Sequence, residues 1–452
     1  MPSPWRASDP RDTDVPGPRP WLPPAAAARE SELLDRTELA SLDEIARRLD
    51  AAVLRNRTIH ELECVNLNPA TNTMNPDAEA ALASRLGTRP SLGHPGDKYE
   101  MGLEAIEEIE VMAAELARRV FRAPYVELRV GSGALANLYA FMATCRAGDT
   151  VIVPPPAIAG HVTHQPAGAA GLYGVEIVEA PIDPSRYSVD VTALAELAAR
   201  VRPRLITIGG SLNLRPHPVR EIRAIADDVG AYVLFDAAHL AGLIAGDAWP
   251  NPLEEGAHLL SMSTYKSLAG PPSGLLATSD EALARRVDAI AYPGMTANFD
   301  AGKTAALAIT LLDWLAVGDD HAAAMVAMAA ALAEACLDEG LPVHTLDGTA
   351  TTSHAFAIEA ARWGGGQAMA RRLRDANLLT SGIGLPVADV PGDLNGLRVG
   401  TPELVRWGVV PEHAPELAGL LARALADEPA TVAADVTRFR QRFRELRFLR
   451  PS

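Results

Sequence analysis

Seven short apolar segments, residues 126–130, 150–153, 174–180, 205–208, 232–235, 259–263 and 274–277, punctuate the middle of the chain, with helix-patterned stretches such as 191–200 and 219–229 between them. That alternation leaves few folds open. Apolar strands separated by helices build a mainly parallel sheet whose two faces are both covered by helices. In such sheets ligands bind beyond the carboxyl ends of the strands, so the residues just after each segment are where chemistry is expected.

Two of those residues stand out. Asp236 ends the segment 232–235 and is followed by His239, and thirty residues later Lys266 follows 259–263 through a run of hydroxyls onto a Gly270-Pro271 turn. Taken singly, the aspartate could cap a helix or a turn, and a lysine after a strand is ordinarily solvated. Together they suggest pyridoxal phosphate. A lysine amine forms a Schiff base with a carbonyl, and an aspartate keeps a pyridine nitrogen protonated so that the ring can accept electrons. Upstream, Gly131-Ser132-Gly133 joins a strand to a helix, where glycines admit a close ligand and free helix N–H groups favour an anion. Ser132, Gly133 and Ser263 are the expected phosphate cradle. His161 and His164 follow the second strand; a metal pair is the rival reading, but no third ligand lies near and no metal site is expected.

Six blocks carry a resemblance over residues 61 to about 450: Gly96-Asp97-Lys98-Tyr99, Ser132 to Asn137, Gly160 to His164, Asp236 to Gly242, Thr264 to Pro271 and Leu397 to Pro402. In these the chain resembles serine hydroxymethyltransferase, a pyridoxal-phosphate enzyme of the aspartate aminotransferase fold. The resemblance implies an α/β fold type I chain with a large cofactor-binding domain (89–318) containing a mainly parallel seven-stranded sheet. It also implies a smaller mixed α/β domain (319–452) and a helical arm (29–88) that helps build a homodimer with active sites at the subunit interface. By the same resemblance Lys266 carries the cofactor, His161 stacks on its ring and Ser211 lies near its phenolic oxygen. His239 packs beside the acid Asp236, Arg398 anchors the substrate carboxylate, and Tyr99 and Glu100 line the substrate side.

The departures bear on the reaction. Leu92 stands where the family has its active-site glutamate, Ala70 and Thr71 where it has a serine and a glutamate, and Glu100 where it has a second tyrosine. Ala134 replaces a cradle serine, Tyr265 a histidine and Pro272 an arginine, and in 292–299 only Pro293-Gly294 survives of the family's cross-subunit phosphate contact. Leucine cannot move a proton, which argues against tetrahydrofolate-dependent transfer unless His94 or Glu100 substitutes. The expected reaction is aldol-type cleavage or transfer on a serine- or threonine-like β-hydroxy amino acid. A transaldolase, racemase or aminotransferase is the alternative, and a non-catalytic protein of this fold is disfavoured by intact Lys266, Asp236, His239 and Arg398.

Composition narrows the partners. A net charge of −16 disfavours nucleic acid, whose phosphates are bound by lysine and arginine. No apolar run reaches the ~18 residues of a membrane span, and the three scattered cysteines form no metal pattern, so a cytoplasmic protein is expected; the small amino-acid substrate is what the resemblance implies. Proline-rich residues 1–28 are expected to stay disordered, and 31–59 to form one or two helices. Alanine-rich 302–337 reads as a long helix, 354–359 and 397–400 as strands, and 437–450 as a helix snorkelling its arginines over a subunit surface.

Overall fold

The seven apolar segments form one sheet. In the computed structural model, which describes residues 19, 21–36, 41–426 and 428–451, they are β1 (Tyr125–Val130), β2 (Thr150–Val153), β3 (Glu176–Glu179), β4 (Leu205–Gly209), β5 (Tyr232–Asp236), β6 (Leu259–Ser263) and β7 (Gly274–Thr278). The spatial order is β1-β7-β6-β5-β4-β2-β3. Only the pairings made by β7 are antiparallel. β3 starts two residues later than expected because Gly174, at φ 86°, caps the short helix Ala169–Tyr173 in the left-handed region.

Successive strand residues enter two different cores, as a two-residue period demands. Ile206, Ile208, Val233, Phe235, Leu260 and Met262 face one, and Leu205, Leu234 and Leu259 face the other. Caps set where many of the helices start. Of α1 (Pro24–Asp35), α2 (Leu42–Arg57), α3 (Glu104–Phe121), α4 (Gly133–Thr144), α5 (Val191–Val201), α6 (Val219–Val229), α7 (Glu281–Ala289) and α8 (Ala301–Asp338), five open on a Ser or Asp whose side chain accepts a backbone N–H: Ser41, Ser132, Asp190, Asp280 and Asp300. Helices α3, α5, α6 and α8 cover the first face, and α4 and α7 the second.

A three-stranded antiparallel sheet follows, β8 (Ala355–Glu359), β9 (Ser381–Ile383) and β10 (Gly396–Gly400), ordered β8-β10-β9, with α9 (Gly366–Asp375), α10 (Ala414–Ala426) and α11 (Ala433–Arg440). Residues Met1–Leu62 and Glu63–Ser452 form separate compact units. The first holds α1 and α2, none of whose residues is buried. Most of the expected disordered tail 1–28 lies outside the described residues, but 24–28 belong to α1, which starts on Pro24, a residue preorganised for a first helical turn. The expected boundaries at 88/89 and 318/319 do not divide the second unit. The latter falls inside α8, which runs on through a local break at Val317 (φ −141°, ψ 18°).

Helix α8 is long and apolar enough to cross a membrane by composition, yet half of its most apolar window is buried inside the protein. The expected terminal helix 437–450 stops at Arg440. That arginine does not snorkel: it is buried, with its guanidinium 4.2 Å from the centre of the Trp407 ring.

His321 on α8 is sandwiched between Trp314 and Phe448, with ring centres 4.9 and 4.6 Å away. Burial holds its pKa well below the ordinary histidine range, as it does for His239, and pushes His354 down to about 3. Below pH about 6.5 the unfolded chain therefore binds protons that the folded chain refuses, so stability falls with pH in that window. The melting temperature should drop steadily from about pH 6.5 to pH 4. His321→Phe, which keeps the stack and removes one titrating group, should flatten that slope in scanning calorimetry; an unchanged slope would show that His321 does not contribute.

Candidate active site

The carboxyl ends of β4, β5 and β6 and the start of α4 converge on one buried polar cluster. Asp236, the last residue of β5, is 2% exposed. Its Oδ2 accepts from Asn137 Nδ2 and lies 2.9 Å from His164 Nε2, and its Oδ1 accepts the Ala238 N–H. Burial alone would raise the carboxyl's pKa. The His164 contact, helped by His161 and the Ala238 N–H, reverses this and holds it well below the usual range, so Asp236 is a carboxylate. Asn137 is itself oriented by Ser261 Oγ (2.6 Å) and donates to Thr163 Oγ1 (2.9 Å), which sits 2.9 Å from His161 Nδ1. Burial lowers the His161 pKa, leaving a neutral ring beside this array.

Lys266 follows β6 on a turn clamped from several sides. The Gly270 and Ala269 N–H groups close it onto Thr264 and Lys266 carbonyls, and Ala269 takes the left-handed conformation (φ 56°). Asn72 Nδ2 donates to the Lys266 carbonyl at 3.1 Å and Trp314 Nε1 to that of Leu268 at 2.8 Å. A Cβ on Gly242 would lie 2.5 Å from the Ser267 carbonyl oxygen, so only glycine lets the helix after Asp236 pack here. The Lys266 side chain is buried and its Nζ lies 3.2 Å from His239 Nε2. Burial pushes the amine down to about 8, with Arg398 adding to the effect and Asp236 opposing it.

Arg398, in the middle of β10, completes the cluster. Its guanidinium is buried among neutral acceptors: the Ser211 carbonyl (2.6 Å), Ser381 Oγ (3.0 Å), His239 Nε2 (3.3 Å) and Asn68 Oδ1 (3.5 Å). Burial lowers it only to about 10, so it stays charged at neutral pH. No carboxylate among the described residues pairs with it.

Ser132, Gly133 and Ser263 meet where α4 abuts β6. Ser132 Oγ accepts the Leu135 N–H, and a Cβ on Gly133 would fall 2.1 Å from Ser263 Oγ. Ser211 lies at the end of β4, but its carbonyl rather than its hydroxyl makes the contact to Arg398. The histidine on the acid is His164, whereas His239 stands between Lys266 and Arg398, correcting the expected placement. Tyr99 and Glu100 are not brought to this cluster. They follow the hairpin Gly93–His94/Asp97–Lys98, whose side chains bond to Glu110 on α3 and Asp288 on α7. Tyr99 is 79% exposed, and His94 pairs with Asp288 at the surface. No metal-ligating cluster exists among the described residues. Sequence reasoning passed over Asn137 and Thr163, although an asparagine one turn after Gly133 in an otherwise apolar helix was a usable signal.

The serine hydroxymethyltransferase family model matches residues 44–421. The chain belongs to the serine hydroxymethyltransferase family. Among its relatives, an alpha-methylserine aldolase of Variovorax paradoxus is 59% identical over 95% of this chain and 98% of that protein. Another alpha-methylserine aldolase, from a Ralstonia species, is 57% identical over 96% and 99%. The serine hydroxymethyltransferase of Pyrobaculum islandicum is 35% identical over 88% of this chain and 93% of its own. The crystal structure of L-threonine transaldolase from Pseudomonas fluorescens shares the fold, with TM-score 0.82, 21% identity, and coverage of 94% of this chain and 95% of that one.

This family member is thus a pyridoxal-phosphate enzyme of fold type I whose chemistry is aldol-type, at the Cα–Cβ bond of a hydroxy amino acid. The residues present fit that cofactor: a buried carboxylate, an amine of depressed pKa, and a glycine where any side chain would fill the strand-to-helix cradle. Only the neutral amine attacks an aldehyde. Uptake of pyridoxal phosphate by the cofactor-free protein, followed by visible absorbance, should therefore speed up with rising pH and level off above about 8, far below the ~10.4 of an ordinary lysine. A rate still climbing at pH 10 would contradict the depressed amine.

Proposed function

We propose that the protein is a folate-independent aldolase acting on α-methylserine or a close α-methyl-β-hydroxy amino acid. Cleavage of Cα–Cβ in α-methylserine gives formaldehyde and alanine: the hydroxyl loses its proton, its oxygen becomes the aldehyde carbonyl, and Cα keeps the bonding pair and later gains a proton. The observation that carries the reading is Arg398, a buried guanidinium near Lys266 that faces neutral acceptors and, among the described residues, no carboxylate. A substrate carboxylate is the anion it lacks.

The bound cofactor supplies the electron sink for the pair left on Cα. Lys266 would hold it, Asp236 would serve the ring nitrogen, His161 would pack against the ring, and Ser132, Gly133 and Ser263 would take the phosphate. Arg398 fixes the substrate carboxylate and thereby aims the scissile bond. His239 is a neutral base in the cluster, and the Lys266 amine, with its pKa near 8, would be able to take up or release a proton close to neutral pH. Leu92 removes the family acid, which supports independence from folate, as does the full-length similarity to alpha-methylserine aldolases.

The loaded enzyme should release formaldehyde and alanine in equal amounts from α-methylserine without tetrahydrofolate. Lys266→Ala should abolish both turnover and the lysine-linked absorbance, and Arg398→Ala should raise KM at least about a hundredfold, since two charge-assisted hydrogen bonds go. Formaldehyde transfer seen only with tetrahydrofolate would overturn the reading.

We also propose a homodimer in which the Tyr99–Glu100 segment of one copy enters the site of the other. Tyr99 and Met101 are about 80% exposed and Val111 and Met112 on α3 about half exposed, a surface suited to a second copy. Mixing Lys266→Ala with Glu100→Ala subunits, then refolding together, should restore activity that neither variant has alone. No recovery in a verified mixed dimer would mean that the segment serves its own chain or none.

A further inference from the structure

Behind Arg398 lies a buried acid that the chemistry above does not use. We propose that Glu403 is a positioning residue that sets how tightly Arg398 holds a substrate carboxylate, an inference that rests on the proposed function. Glu403 lies five residues beyond Arg398, in the short helix Pro402–Arg406 after β10, and is 6% exposed. Its Oε2 accepts from Asn66 Nδ2 at 2.5 Å and its Oε1 from Trp407 Nε1 at 3.3 Å.

From Asn66 the connections lead to the guanidinium. Asn66 Nδ2 also donates to Thr71 Oγ1 (2.6 Å), while its Oδ1 accepts the Asn68 N–H (2.9 Å). The Asn68 side-chain oxygen in turn meets the Ala70 N–H (3.1 Å), Ser381 Oγ (3.3 Å) and Arg398 Nη2 (3.5 Å). Ser381 can donate its hydroxyl to Asn68 only while accepting from Arg398 Nε and Nη2, which orients that hydroxyl. Two of the four acceptors around the guanidinium thus depend on one asparagine amide being held the right way round. Glu403 selects that orientation, because a flipped Asn66 would turn an oxygen towards the carboxyl and a donor towards the Asn68 N–H. The same segment reaches the lysine turn through Asn72.

The backbone here does not need Glu403. Val65–Asn66 pairs with Leu378–Leu379, and the Gly400 N–H donates to the Leu67 carbonyl at 2.7 Å. Losing the acid should loosen side chains, not unfold the segment. Burial also holds the carboxyl above its ordinary pKa range, so keeping it there opposes folding and its removal should not greatly lower the melting temperature.

The test is a titration of the cofactor-loaded enzyme with alanine, the proposed product, by calorimetry and cofactor absorbance, alongside KM and kcat with α-methylserine and a melting curve. Glu403→Ala should raise the alanine Kd and the KM about tenfold, the loss of one buried charged hydrogen bond, with a much smaller change in kcat. Glu403→Gln keeps one acceptor for Asn66 and should recover most of the affinity. A wild-type Kd in Glu403→Ala overturns the inference, and so does a parallel loss of kcat and melting temperature that glutamine does not rescue. If the unaltered enzyme ignores alanine, the proposed function itself fails and this role falls with it, an outcome recognisable because it appears without any mutation.

Discussion

The structure depends on keeping three charges nearly dry at one end of a sheet. Each is handled differently. Asp236 remains a carboxylate because Asn137, His164 and the Ala238 N–H replace the water it has lost. Lys266 is buried and, among the described residues, has only a neutral histidine at hydrogen-bond distance, so its pKa falls to about 8. Arg398 is too basic to lose its proton and is ringed by neutral oxygens and an imidazole, which orient it without cancelling its charge. A buried ion left without a counter-ion is costly, and under the proposed function that cost is what a substrate carboxylate would relieve.

Holding those side chains in register requires stiffness between parts of the chain far apart in sequence, and α8 supplies it. Trp314 on α8 grips the Leu268 carbonyl of the lysine turn, Asp313 beside it accepts from Asn75, and the Met325 carbonyl accepts from Thr401 just after β10. One helix therefore links the lysine turn to the strand that carries Arg398. Its break at Val317 lies where the Gly318 carbonyl would sit 2.2 Å from a Cβ on Gly246, a crossing close enough to need glycine.

Much of this was legible in the chain. The sheet strands were placed to within a residue or two because burial on both faces leaves continuous apolar runs, and only β3 was blurred, by a glycine belonging to the preceding helix cap. Asp236, Lys266 and Arg398 were readable because each sits in a run of ordered motifs. Less legible was which histidine serves which charge: His164 and His239 are equivalent as letters, and only the packing of the loop after β2 against β5 puts the first on Asp236. Arg440 was misjudged for a related reason, since an arginine beside phenylalanines reads as a surface residue until Trp407 folds over it.

Local sequence by itself determined the strand and helix pattern, the caps that start five of the helices, the glycine and proline turns beyond the strands, and the set of residue types able to serve pyridoxal phosphate. These are properties of neighbouring residues, encoded in steric preference and apolar period. The tertiary structure alone decided the protonation states and partners: the ionised Asp236, the weakened Lys266 amine, the uncompensated Arg398, and the link from Glu403 through Asn66 to the guanidinium. The physical reason is that charge and hydrogen-bond energies are set by distance and by exclusion of water, and residues 66, 236, 266 and 398 share neither until the chain has closed around them.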